Sequence, residues 1–291
     1  LLASLLVVTV LLIYLQKKLD LPVLVEGHDI RRELKENPDT VTFSLILYVT
    51  SFLYPLSYFM ARYAVLTNFG EAEAGLLQAA IVLASALRLV LGPVNGLYLT
   101  PILNRQIPKA EKLQAALGYQ RQLVVAIVTL AMPVVLFPQW LVTLLFSPSF
   151  VKISPFVFLF VIAFFISLLG GVFEALIIGL DDLKIYGVIV AFGHLSLGTA
   201  SWLLAPQYGI LGVAIGFLVS SLSTFLLTLA QLSIRHGLTL PHRHSFSMVY
   251  GLLVLSVAGI SFNLFEASQP ILILCKLGFF GLFLFLSLIH I

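Results

Sequence analysis

Apolar residues along this chain come in runs of about twenty, a length matched to the roughly 30 Å of hydrocarbon in a bilayer rather than to a water-soluble core. Nine such runs can be delimited, at residues 1–15, 41–66, 75–102, 122–146, 153–178, 183–204, 209–234, 246–262 and from 270 onward. Lipid offers no water to satisfy backbone groups, so a spanning segment of this kind, without strand-like alternation, is a helix. Short turns such as Ala205-Pro206-Gln207-Tyr208 join neighbouring runs. One connection is long: residues 16–40 are polar and include Asp29-Ile30-Arg31-Arg32-Glu33-Leu34-Lys35-Glu36, a candidate amphipathic helix at the membrane surface. The predicted fold class is all-α, a polytopic membrane helix bundle with about nine transmembrane helices.

Composition agrees. Hydrophobic residues make up 60% of the chain and charged residues 10%, against roughly 25% charged in soluble domains, and the mean hydropathy is +1.09. The net charge of +3 is small, and no basic patch interleaved with aromatics is present, so nucleic-acid binding is excluded. A single cysteine, Cys275, excludes an internal disulfide framework and a cysteine-based metal site. No cofactor is expected.

Charge placement is more telling than charge. Assigning alternate loops to one side collects twelve cations there, among them Lys17, Arg31, Arg105, Lys112, Lys184 and Arg235, while the other side holds only Lys152. By the positive-inside rule the cation-rich side, with linker 16–40, is cytoplasmic. Arg62, Arg88 and Lys276 remain within helices. Leu1 is not an initiator methionine, and residues 1–15 read as the interior of a helix rather than a signal peptide, so the natural beginning is expected upstream. Residues 286–291 resemble a translated transposon-end sequencing adapter and are expected to be a scar, which removes His290 from consideration.

Within the second run Ser44, Tyr48, Ser51, Pro55, Tyr58 and Arg62 recur at helical spacing and form one polar stripe. An intramembrane arginine costs about 2.5 to 3.5 kcal/mol on insertion scales, so the stripe should face protein or a wet cavity. It reads either as a packing seam with Arg62 snorkelling to the interface or as a cavity wall that binds sugar hydroxyls and phosphate. In the third run Gln78, Ser85, Arg88, Gly92 and Asn95 share one sector, with Arg88 near mid-membrane. Two guanidiniums on consecutive helices suit a diphosphate, because each presents a rigid fork of donors. The bland alternative for Arg88 is an internal ion pair with Glu174.

Gly92-Pro93 and Pro101 interrupt the third run, and Pro133 or Pro138 breaks the fourth; these are static kinks or hinges. Glu174 and Asp181, with Asp182, are weak candidates for ion coupling, and the two aspartates equally suit a helix cap. His236, His242 and His244 lack a partnering carboxylate in their own loop, which argues against a metal site. His194, beside Gly193 and Gly198, reads as a packing residue.

Tyr54-Pro55-Leu56-Ser57-Tyr58-Phe59-Met60-Ala61-Arg62, then Gly70, Ala74-Gly75-Leu76-Leu77-Gln78-Ala79 and Tyr98-Leu99-Thr100-Pro101-Ile102-Leu103, resemble the start of the second half of Wzx-type O-antigen flippases. These belong to the multidrug/oligosaccharidyl-lipid/polysaccharide exporter superfamily. The resemblance covers about residues 41–234 and extends to Leu144-Leu145-Phe146-Ser147-Pro148-Ser149-Phe150 and Leu176-Ile177-Ile178-Gly179-Leu180. It implies residues 1–15 as the last helix of an N-terminal bundle, 41–234 as the C-terminal six-helix bundle, and a multi-pass protein of the bacterial inner membrane. It further implies two bundles that rock about a cationic cavity to move a polyprenyl-diphosphate-linked oligosaccharide from the cytoplasmic to the periplasmic leaflet. Arg62 and Gln78 fall on positions of the family pattern; Arg88 rests on its depth and face. Shorter family members end near residue 234, so the two additional helices in 245–285 point to a fourteen-helix architecture.

The implied partners are the lipid-linked oligosaccharide and membrane lipids, with a polysaccharide polymerase and a chain-length regulator as further candidates. Rival readings are a cation-coupled multidrug exporter, a lipid II flippase, and a membrane glycosyltransferase or polymerase. Arginines on two helices favour an anionic substrate over cationic drugs. Outer connections only a few residues long leave little room for extracytoplasmic catalysis, so an enzyme is not expected.

Overall fold

The computed structural model describes residues 38–263, 276 and 278–281. The run at 1–15, the linker up to residue 37, residues 286–291 and nearly all of the ninth run lie outside the described residues. The chain divides into two compact units, residues 1–45 and 46–291. Of the first, the described part is the opening of one helix; the site treated below lies in the second.

The described chain runs through α1 (Pro38–Phe69) and α2 (Glu71–Val94), which continues through a π-helical turn (Asn95–Leu99) into the short α3 (Thr100–Leu103). There follow α4 (Lys109–Leu136), the short α5 (Pro138–Leu145), and a 3-10 turn (Pro148–Ile153) that leads into α6 (Ser154–Gly179). Then come α7 (Leu183–Tyr208), α8 (Ile210–His236) and α9 (His242–Asn263). No strand occurs among the described residues, and seven of their helices are long and apolar enough to cross a membrane. The protein is an all-α polytopic membrane bundle.

Two boundaries differ from the hydropathy reading, and one alternative it left open is decided. α1 starts at Pro38, where a proline suits the first helical turn because its missing N–H is an orphan there in any case. α4 starts at Lys109 rather than at 122, because a polar stretch with helical periodicity extends the apolar run: Ala116, Tyr119 and Leu123 are buried while Lys109, Glu111 and Arg121 are exposed. The break after α4 falls at Phe137, ahead of Pro138, whereas Pro133 stays inside the helix and its carbonyl accepts from Phe137 N at 3.0 Å.

α6 is central and packs against α2, α4, α8 and α9. Its sequence explains why: with Phe160, Phe165 and Phe173 fully buried on different faces, it is apolar all round, as an interior helix must be. α9 belongs to the same unit and closes on α4 and α6, where Leu255 and Ala258 are buried. α1 lies against α7, since a Cβ on Gly187 would stand 2.6 Å from Ile46 Cγ2, and Tyr63 stacks on Trp202 at 6.1 Å.

Contacts between helix ends establish the antiparallel alternation. At one end Lys112 Nζ donates to the carbonyl of Gly179 at 2.6 Å, and Asp182 reaches the end of α8. At the other, Phe69 packs on Gly209, whose φ of +56° forms the tight turn between α7 and α8. The ends that carry Lys112, Lys184 and Arg235 therefore lie together.

Candidate functional site

A cavity of about 700 Å³ is lined by α1, α2, α6, α7 and α8. α1 contributes Thr50, Ser51 and Tyr54; α2 contributes Arg88, Gly92 and Asn95. α6 adds Ser167 and Glu174, α7 adds Tyr186 and His194, and α8 adds Ser220, Ser221 and Thr224. The lining takes its α1 and α7 residues from the halves nearest the cation-rich ends, and its α2 and α8 residues from mid-span.

Two opposite charges line this space, Arg88 and Glu174. Among the described residues neither forms an ion pair within 4.0 Å, and the two are not paired with each other. Arg88 lies instead over the ring of Tyr54, with Cζ 5.4 Å from its centroid. Tyr54 in turn meets Tyr58 at 4.7 Å and the edge of His194 at 5.4 Å. His194 Nδ1 is 3.5 Å from the hydroxyl of Ser57. His194 is thus both a packing residue and part of the cavity wall.

On α2 the chain geometry follows from Pro93. Its missing N–H leaves no donor for the carbonyl four residues back, and the helix answers with the π-helical turn that begins at Asn95. Asn95 lines the cavity at the start of this turn, and its side-chain oxygen accepts a hydrogen bond from the hydroxyl of Tyr119 on α4. Thr100 closes the turn by donating to the Asn95 carbonyl at 3.3 Å.

Of the residues singled out in the sequence, Ser51, Arg88, Asn95 and Glu174 come together here. Tyr48, Tyr58, Arg62 and Gln78 do not line the cavity. Tyr48 is 74% exposed, Arg62 and Gln78 are exposed towards the other end of their helices, and Tyr58 packs edge-on against Phe217 at 5.1 Å. The polar stripe of α1 is therefore not the cavity face. At 3.6 residues per turn the lining positions 47, 50, 51 and 54 are centred about 70° away from the stripe, with Ser51 on the shared edge. One guanidinium, not two, enters the cavity.

Asp181 is likewise corrected. It is exposed with φ +62°, and it ends α6 in the left-handed position: Asp182 N bonds Ile177 O at 3.1 Å and Asp181 N bonds Ile178 O at 3.0 Å. This is the Schellman arrangement, which Asp tolerates where most side chains do not. It stands outside the cavity, so ion coupling there loses its geometric basis. Asp182 makes no side-chain cap bond to α7. Its carboxylate bridges to α8, accepting from Arg235 Nη1 at 2.5 Å and lying 2.5 Å from His236 Nε2. His236 therefore does have a carboxylate partner, brought from another loop. Burial opposes ionisation of Asp182, but His236 and Arg235 outweigh it and hold the carboxyl below the usual carboxylate range.

Sequence reading missed Tyr54, Tyr186 and the α8 wall. A signal existed in the last case: Ser220-Ser221-Leu222-Ser223-Thr224 places four hydroxyls in the middle of an apolar helix. No family model, curated protein or solved structure matches the chain.

Proposed function

We propose that this chain serves in a flippase that carries a polyprenyl-diphosphate-linked oligosaccharide between the leaflets of the bacterial inner membrane by alternating access. The observation that carries the reading is Arg88, a mid-span guanidinium without an ion-pair partner among the described residues, facing a cavity rich in hydroxyls. Holding such a charge among acyl chains is costly, and a hydrated hollow where an anion completes its hydrogen bonds removes the cost. Hydroxyls from α1, α6 and α8 suit sugar hydroxyls, and the resemblance over residues 41–234 supports the same substrate class. With the cation-rich ends assigned to the cytoplasm, the cavity lies at mid-membrane and in the inner half, where the substrate is loaded.

Replacing Arg88 with Ala in the full-length protein should abolish surface polysaccharide while the protein remains in the membrane fraction. Arg88→Lys should restore it only in part, because a point charge lacks the planar fork. Normal surface glycan in Arg88→Ala cells removes the reading. The carboxylate of Glu174 in the same cavity favours a second reading, a cation-coupled exporter of lipophilic cations. Efflux of a fluorescent cation that depends on Glu174 and is indifferent to Arg88 would select it.

A further inference from the structure

Arg88 and Glu174 face one another's space without pairing, and that arrangement is informative. Arg88 is exposed to this space and Glu174 half-buried beside it, and opposite charges that share one cavity inside a membrane bundle gain by joining. Here both line a cavity of about 700 Å³, equivalent to a sphere about 11 Å across, and no ion pair within 4.0 Å joins them. A bare anion bound at Arg88 would also feel the carboxylate. Across the width of such a sphere, at an effective dielectric constant of about 20, repulsion of this kind weakens binding about tenfold per unit charge. A ligand that carries a cation of its own turns the same interaction into attraction.

The surroundings of Glu174 suit an ammonium group. Phe225 and Glu174 both flank Gly170: a Cβ at that glycine would lie 3.8 Å from Phe225 Cδ2 and 3.9 Å from Glu174 Oε1. Gly170 leaves that space open. Tyr186 lines the cavity as well. A carboxylate beside aromatic rings is the pattern by which proteins recognise amines, because the rings' negative faces add to the ion pair. Arg88, by contrast, is held over Tyr54 on the α1–α2 side.

We propose that the cavity binds a zwitterion, with a phosphate at Arg88 and a protonated amine of the same molecule at Glu174, Phe225 and Tyr186. The substrate class is an amino-sugar phosphate whose amine is free rather than acetylated, the two groups sitting on neighbouring carbons of the sugar next to the phosphate. This rests on the anion-binding reading of Arg88 and narrows it.

The test titrates the full chain in nanodiscs with two soluble probes, glucosamine 1-phosphate and N-acetylglucosamine 1-phosphate, at fixed pH and at low and high sodium, using calorimetry. The phosphate is common to both, and only the first presents a cation. The native chain should prefer the free amine by roughly tenfold. Glu174→Gln should bring the two affinities within about twofold, Glu174→Asp should keep the preference, and Arg88→Gln should weaken both probes. Equal affinities in the native chain, a comparison that needs no variant, overturn the zwitterion proposal while leaving anion binding standing. So does a preference that survives Glu174→Gln. Equal affinities together with a sodium dependence lost in Glu174→Gln overturn it by assigning the carboxylate to a free cation. If neither probe binds the native chain, the anion reading itself falls with the proposal.

Discussion

The guanidinium carbon of Arg88 sits 5.4 Å from the centre of the Tyr54 ring, so a charge on α2 is aimed by an aromatic on α1. The same ring makes a T-shaped contact with His194 on α7 at 5.4 Å. A cation over an aromatic face is stabilised by about 0.5 to 2 kcal/mol, depending on desolvation. Tyr54→Ala should therefore weaken binding of inorganic pyrophosphate to the full chain by about 2- to 30-fold, and Tyr54→Phe, which keeps the ring, by about twofold or less. Equal losses in the two variants would assign the effect to the hydroxyl instead.

Arg62 and Arg88 were both candidates for the phosphate, and the fold separates them. Arg88 lines the cavity, whereas Arg62 lies outside it, on the final two turns of α1. Arg62→Ala should leave surface polysaccharide close to the native level, under conditions in which Arg88→Ala abolishes it. Loss of glycan in both would require a second anion contact on α1, in a conformation other than this one.

Two glycines at the contacts of α7 and α8 should differ in sensitivity for a geometric reason. A Cβ at Gly212 would stand 2.4 Å from the Leu204 carbonyl oxygen and 2.8 Å from Ala205 N, atoms of backbone that cannot rotate away. At Gly193 it would meet Thr224 Oγ1 at 2.1 Å, the tip of a side chain. Overpacking typically costs about 1 to 3 kcal/mol, so Gly212→Ala should lie at or above the top of that range and Gly193→Ala near its foot. Thermal unfolding in detergent provides the measurement, and Thr224→Ala should relieve the Gly193→Ala variant while doing nothing for Gly212→Ala.

The clasp of Asp182 with Arg235 and His236 carries a pH signature. Because its folded-state pKa is depressed, the contribution to stability is complete above the unfolded aspartate value of about 3.9 and is lost as pH falls through the lower folded value. Melting temperatures of the native chain should therefore fall more steeply below about pH 4 than those of Asp182→Asn. Parallel acid limbs for the two proteins would show that the clasp does not contribute.

Much of the architecture was legible in the residues themselves. A run of twenty apolar side chains can only be satisfied by a helix in lipid, and that is a local property; hence the seven described spans follow the runs read from the chain. Proline positions were legible for the same reason: Pro93 and Pro138 act on their own backbone, and the π-helical turn at Asn95 and the break at Phe137 follow directly. Helix beginnings that carry charge, as at Lys109, escaped a reading based on hydropathy.

The rotation of each helix about its axis was decided only in three dimensions. In water an apolar face identifies the buried side, but in a bilayer lipid-facing and protein-facing surfaces are both apolar, so the phase of a weak polar stripe is ambiguous. That is why Ser51 reached the cavity while Tyr48, on the same stripe, turned outward, and why Tyr54 was overlooked. Partnerships across long stretches of chain were equally hidden. Nothing near Asp182 announces Arg235 and His236, more than fifty residues away, and the sequence offered Glu174 to Arg88 only as an ion-pair partner, whereas the two share a cavity without joining. Those relationships depend on how whole helices dock, an outcome of many side-chain contacts summed along their length, and no single segment encodes it.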